Sequence, residues 1–441
     1  MGKAVLKFLF TFMLMFFTIL ANLLELNIVS QLIILLLFLL SGMYFFKFEI
    51  LHPFVWLSPF IILYNISIII LNLLDIRDTN ISDQLILSMT LAVGTLFLYF
   101  AIASKTYSNL DYKIKTFDSV SPQIFKFLFV VLILIIAVNI ILFLKSGITT
   151  KSELSASGEG LNLGYIYKLF LFTTAFLLLK EILEKKSISL FLISGFLVSL
   201  FIALILGERD VLMTFIMLGI FIYYVTYKPP KKNLYLIGIL SLFLLPVLGH
   251  LKNVFTKDMT GMFSEYNALL AIFNGEFLSA GRNFETILNT YGQWDFFYGE
   301  TIFWDLARSI IPGFIYTFQN SIGWFNNTFH PDIVAIGRGY GFSFIAEGYI
   351  NFGYFGIVLW YLILSIIMHF LYKKSQKSTY WFIGYIYMIP YFIYIQRGDL
   401  SNFISPLLKQ LIVFTIFFIL INSVLKQFKR KKNIENINNS I

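Results

Sequence analysis

The chain has 441 residues, 58% of them hydrophobic and 13% charged, with no cysteine and a formal net charge of +9. That balance excludes a soluble two- or three-domain architecture, and the missing thiols exclude a disulfide framework or a thiolate metal site. The positive charge gathers in short loops and the C-terminal tail, which suits anionic lipid headgroups and not nucleic acid.

In chain order, twelve apolar runs are long enough to cross a bilayer as helices. They lie near 4 to 22, 28 to 46, 54 to 74, 84 to 104, 124 to 144, 164 to 182, 187 to 206, 211 to 227, 233 to 249, 351 to 372, 379 to 396 and 404 to 425. The runs are continuous and do not alternate, which sets aside barrel strands. The first starts with a lysine but has no small-residue cleavage site, and is expected to be an uncleaved span. The expected fold class is therefore an all-α polytopic membrane protein. Spans one to nine occupy residues 1–249, a large loop with short amphipathic helices 250–350, spans ten to twelve 351–425, and a basic tail 426–441.

Starting the N-terminus inside puts twenty of the twenty-six lysines on the inner side, among them Lys3, Lys7, Lys180, Lys228, Lys373 and Lys426. Both termini are then cytoplasmic and the large loop extracytoplasmic. Arginine does the reverse. Of seven, only Arg430 falls inside, while Arg77, Arg209, Arg282, Arg308, Arg338 and Arg397 fall outside. A planar, permanently charged guanidinium suits phosphate and carboxylate oxygens. The blander use is pairing with nearby acids such as Asp75, Asp78 and Asp210.

Five stretches carry the candidate chemistry. Gly207-Glu208-Arg209-Asp210 puts three ionisable residues at a membrane face, where they are costly and point to function, although Asp210 also suits a helix N-terminus. Glu300 to Ile311 has apolar residues at Ile302, Phe303, Leu306, Ala307 and Ile310, the spacing of an amphipathic helix on the bilayer surface or against the bundle. A weaker pattern of the same kind runs from Met262 to Leu278. Gly337 to Ser343 alternates glycines around Arg338 and Tyr340, which permits close backbone approach to a ligand or serves as a hinge. Ser343 to Gly356 opens the tenth span. Its Glu347 stands in apolar surroundings that suit a proton acceptor, and Asn351 lies one helical turn further on. Arg397-Gly398-Asp399 fills a short late turn.

A GxR-type turn (Gly207 to Arg209), a long loop, an S-x-x-x-E-x-Y-x-N-F-G run (Ser343 to Gly353) and a late R-G-D turn together resemble the Wzy family of oligosaccharide repeat-unit polymerases. O-antigen ligases share the large-loop plan and are similar. The resemblance implies a GT-C-like glycosyltransferase, without a cofactor, at the outer face of the bacterial inner membrane. Its substrates would be undecaprenyl-pyrophosphate-linked glycans, and a chain-length regulator and a flippase would be its partners.

In that chemistry Arg209 and Arg338 are expected to stabilise the leaving pyrophosphate, with Arg282 and Arg397 behind them. Glu347 is the first choice to take the acceptor proton, then His250, then Glu208 or Asp210. Tyr340 and Asn351 complete the expected substrate contacts. No D-x-D occurs and His330-Pro331-Asp332 offers too few ligands, so the expected chemistry needs no metal. Two alternatives stay open: a ligase in which His250 or His330 is prominent, and a flippase or exporter of the lipid-linked unit. Transporters usually place polar groups at mid-membrane and show internal repeats, which these nearly uncharged spans do not.

Overall fold

A computed structural model describes residues 2–77, 83–103, 122–145, 164–185, 190–206, 208–238, 240, 273, 277–311, 315–316, 318–335, 339–421, 423–424 and 427, with backbone alone at 2–4, 122, 182–185 and 209. Every regular element among the described residues is helical. The first group is α1 (Gly2–Leu23), α2 (Ile28–Phe45), α3 (Pro53–Leu73), α4 (Asp83–Ala103), α5 (Pro122–Lys145), α6 (Gly164–Lys185), α7 (Leu190–Ile205) and α8 (Arg209–Tyr227). Four short helices follow: α9 (Leu278–Asn289), α10 (Glu300–Ile310), α11 (Ser321–Phe329) and α12 (Pro331–Ala335). The chain closes with α13 (Phe344–Ser375), α14 (Thr379–Tyr394), a 3-10 turn (Ile395–Arg397) and α15 (Ser401–Ile421).

Eight of these helices, α1 to α5, α8, α13 and α15, are long and apolar enough to cross a membrane. α7 and α14 are apolar but have 16 residues each, and α6 carries Lys168, Lys180 and Glu181. The expected ninth span, 233 to 249, lies largely outside the described residues.

Burial sorts the spans. α3 is central, with 78% of its most apolar window buried, whereas α1 and α5 bury 17% of theirs and keep Phe, Leu and Ile on the outside, as lipid-facing helices do. Inside α3 the polar side chains Ser58, Asn65 and Ser67 donate to the carbonyls one turn back, at Phe54, Ile61 and Leu63. Without water, that is how a polar side chain is accommodated in a span.

The bundle has two chemically different ends. At one, Lys231 Nζ reaches the Lys47 carbonyl at 2.8 Å and Glu49 at 3.4 Å, and Tyr224 donates to Glu49 at 2.6 Å. The opposite end holds the start of α8, the end of α14 and the short helices. α9, α10 and α11 bury side chains in the bundle, whereas α12 buries none. α9 lies on α3 so closely that a Cβ on Gly281 would come within 2.6 Å of the Asn65 carbonyl oxygen.

α13 is broken. Phe352 (φ −146°, ψ 28°) and Gly353 (φ 59°, ψ −144°) leave the helix path, and the positive φ at Gly353 is one that L side chains rarely adopt. The short first half ends on Ile350 and Asn351, whose free groups are met by the approach to α10. Phe297 N donates to the Ile350 carbonyl at 3.0 Å, Gly299 N to Asn351 Oδ1 at 2.9 Å, and Asn351 Nδ2 to Thr301 Oγ1 at 2.7 Å. Open carbonyls at a helix end need such partners. The N-F-G run is thus the geometry of a helix break.

α10 forms where its periodicity predicts, but faces the other way from a soluble amphipathic helix. Thr301, Trp304, Asp305 and Ser309 are buried, while Phe303 is 67% exposed, Leu306 40% and Ile310 64%. Of the two placements expected, its polar side is what meets the bundle.

Candidate active site

A cavity of about 670 Å³ opens at the end of the bundle where α8 begins. Its walls come from α3 (Phe60, Tyr64), α6 (Lys168), α8 and the residue before it (Glu208, Asp210, Thr214), α10 (Arg308), α14 (Tyr391, Tyr394), the 3-10 turn (Arg397) and α15 (Ser401, Asn402, Lys409, Gln410). Four cations and two carboxylates therefore face one apolar-walled space.

Each is placed by a local reason. Asp210 sits in the first turn of α8, where a negative charge meets the helix dipole, and is ion-paired to Lys168. Arg308 stands in the last turn of α10, where a positive charge is favoured. Lys409 and Gln410 lie in a π-helical turn of α15, Pro406–Ile412, a deviation found mostly at functional sites. Tyr387 and Tyr391 both donate to Gln410 Oε1, at 2.8 and 2.7 Å, and fix that turn against α14.

Behind the cavity wall lies a buried layer of acids. Arg308 Nη2 donates to both oxygens of Asp399, at 2.7 and 2.8 Å, and Nε to Ser401 Oγ at 2.9 Å. Lys409 Nζ caps the Arg308 carbonyl at 3.0 Å. Glu347, fully buried, accepts from Leu400 N at 2.8 Å and from Ser321 Oγ at 3.1 Å. It therefore holds the R-G-D turn against α11.

Asp305 is the third acid, 3.5 Å from Arg308. Burial, then the charge on Asp399, push its carboxyl up to about 7, against a hydrogen bond with Glu347 and the pull of Arg308. The Ser401 backbone N–H bonds to the same carboxyl and also opposes the rise. Two carboxylate oxygens can only accept, so the bond between Asp305 and Glu347 needs a proton on one of the two carboxyls. Burial also raises Asp399, with Arg308 opposing.

A second cluster adjoins. The Arg282 guanidinium stacks 4.0 Å over the Tyr340 ring and bonds to Asn283 Oδ1 at 3.2 Å. Asn326 brackets the Tyr340 backbone, accepting from its N–H at 2.7 Å and donating to its carbonyl at 2.9 Å. Phe342 N donates to the Arg397 carbonyl at 3.0 Å, and a Cβ on Gly341 would stand 2.8 Å from that same oxygen. This close approach explains a glycine there. His330 packs 4.8 Å from the Tyr340 ring, and burial and then Arg282 lower its pKa.

Of the residues expected from sequence, Glu208, Asp210 and Arg397 share the cavity. Arg282 and Tyr340 form the adjoining cluster. Glu347 and Asn351 lie behind the wall with protein partners on their polar atoms. His250 and Arg338 lie outside the described residues, as does most of the Met262 to Leu278 pattern, and Arg209 opens α8 with its side chain outside them. Sequence reasoning missed Arg308, Lys168 and Lys409 as site residues. The signal for the lysines was present: each is an ionisable group inside an apolar run, which is functional by default. Among the described residues no three His, Asp or Glu side chains are grouped to hold a metal ion.

Among the described residues, an all-helical bundle with a cation-lined cavity at one end, walled by apolar and aromatic side chains, defines an all-α polytopic membrane protein. The chain belongs to the O-antigen polysaccharide polymerase Wzy family, whose model matches residues 4–431. No curated protein and no solved structure matches it. Membership makes this a multi-pass membrane protein with glycosyltransferase-type activity, acting on lipid-linked oligosaccharide repeat units.

Proposed function

We propose that the protein joins undecaprenyl-pyrophosphate-linked repeat units at the outer face of the bacterial inner membrane, inside the cavity described above. The observation that carries this is the convergence of Lys168, Arg308, Arg397 and Lys409 on one space beside Glu208 and Asp210. An acceptor hydroxyl attacks the anomeric carbon of the growing glycan. The bond from that carbon to the pyrophosphate oxygen breaks, and its electron pair leaves with the lipid pyrophosphate. The four cations meet the charge that develops there, and no metal is required.

Location matters to the magnitude. A cation 4 Å from a phosphate oxygen contributes about 4 kcal/mol at an effective dielectric of about 20, against about 1 in bulk water. Glu208, which lines the cavity, takes the acceptor proton, while Glu347 lies behind the wall. Glu347 and Asn351 act as positioning residues. Arg209, Arg338 and His250 keep the roles expected of them, and Arg282 with Tyr340 contacts glycan or phosphate beside the cavity.

Support for the orientation comes from the opposite end of the bundle, where Lys47, Lys228 and Lys231 gather as cytoplasmic lysines do. Both termini are then cytoplasmic, residues 250–350 form the outer segment, and a flippase and chain-length regulator act beside it.

The test is polymer formation by purified protein in liposomes supplied with lipid-pyrophosphate repeat units. Arg397→Ala and Lys409→Ala should each lower kcat about 10²–10³-fold, the effect of removing one preorganised stabiliser. Glu208→Gln should lower kcat about 10²–10⁴-fold, the loss of one general base. Full-length product ladders from all three variants would sink the proposal.

A further inference from the structure

We infer that the outward apolar face of α10 is the seat of the substrate's isoprenyl tail, with α10 forming the wall between the polar head site and the lipid. This rests on the cavity being the pyrophosphate site.

α10 turns Thr301, Trp304, Asp305 and Ser309 inward and Phe303, Leu306 and Ile310 outward. Phe303, Leu306 and Ile310 recur at i, i+3 and i+7 on one exposed face, while Asp305 and Arg308 point to the protein. In water that arrangement exposes the apolar stripe to no benefit, so the solvent on that side is hydrocarbon. The same helix reaches both environments. Arg308 lines the cavity, and Leu306 and Ile310 lie two residues to either side of it, about 3 Å along the axis.

α15 repeats the pattern. Lys409 lines the cavity and bonds to the Arg308 carbonyl, and Ile412, Val413 and Ile416 just beyond it are exposed. Cations at the inner end of two apolar faces match one chemical class, an anionic pyrophosphate joined to a long hydrocarbon chain. A phospholipid matches the apolar faces equally well, but its headgroup would have to occupy the cavity the substrate needs.

The experiment uses the full-length protein in nanodiscs with a polyisoprenyl pyrophosphate carrying a diazirine in its first isoprene units, and locates the adduct by peptide mass spectrometry. The expected result is labelling of Phe303, Leu306 or Ile310, reduced at least tenfold by excess unlabelled polyisoprenyl pyrophosphate. In turnover, the Leu306→Ser/Ile310→Ser double variant should raise KM about tenfold for a full-length tail. The rise should be at most about twofold for a two-isoprene tail, which covers less of that face.

Labelling confined to other helices would overturn the inference, as would α10 labelling by a phospholipid diazirine that polyisoprenyl pyrophosphate does not displace. A loss that is equal for both tail lengths would overturn it too. Competed labelling of α10 that persists in Arg397→Ala/Lys409→Ala protein would uphold the tail site and sink the cavity as pyrophosphate site.

Discussion

Asp305 and Asp399 share one guanidinium, and that economy sets their consequences. Breaking a buried pair leaves a charge without a partner and costs about 3–5 kcal/mol. Asp399→Ala should therefore lower the thermal midpoint in detergent by several degrees and abolish activity together, since Arg308 loses both of its hydrogen bonds to that carboxylate and keeps only the longer contact with Asp305. An unchanged midpoint would mean that Arg308 is held by something else. Asp305 behaves differently. Its folded-state carboxyl titrates at about 7 against an ordinary 3.8. Between those values the unfolded chain has released a proton that the folded protein keeps. Stability therefore falls as pH rises through that window and changes no further above it. Asp305→Asn removes this titration, so its midpoint should fall less than wild type's between pH 4 and 7. Parallel curves for the two proteins would refute the assignment.

At the scale of the element, α13 carries the sharpest expectation. A Cβ on Gly356 would collide with the Gly348 carbonyl across the break, whereas a Cβ on Gly219 in α8 meets nothing within 4 Å. Gly356→Ala should leave little folded protein in the membrane and Gly219→Ala normal amounts, as read by fluorescence-detected size exclusion. The same helix shows what the sequence could and could not tell. Ser343 to Gly353 stands out as a motif because its residue types are unusual at a span mouth. What they do, closing a helix break onto Phe297 to Thr301, depends on a partner some fifty residues away, as the 52-residue Asn351 to Gly299 bond shows. α10 teaches a related lesson. Periodicity identifies which residues share a face, but not whether water, protein or lipid lies beyond it. Lys168 and Lys409 were legible in principle, yet charge counting assigned them to a side of the membrane and not to a site.

For the whole molecule, most of the bundle was legible because spans declare themselves by length and apolarity alone, and α1 to α8 and α13 to α15 lie where the runs do. The cavity was not legible, since its lining comes from turns and helices scattered from Phe60 to Gln410. Its membrane side is open to direct measurement, because a chain without cysteine is a clean background for single-cysteine labelling. Cysteines replacing Asp295 or Glu300 should react with an impermeant maleimide added outside spheroplasts, and those replacing Lys231 or Lys377 only after lysis. The reverse pattern would invert the proposed orientation.

The partners of α10 also fix an order of assembly. Thr301, Asp305 and Arg308 are satisfied by Asn351, Glu347, Asp399 and Ser401, all of which leave the ribosome later. Until the last helix enters the membrane, α10 has lipid for its apolar side but no Asp399 or Ser401 for Arg308 on its polar side. It matures only when biosynthesis is complete. A nascent chain arrested before residue 399 should therefore leave the 300–310 segment open to protease, and release of the full chain should close it. The cavity end of this protein is the last part of it to be completed.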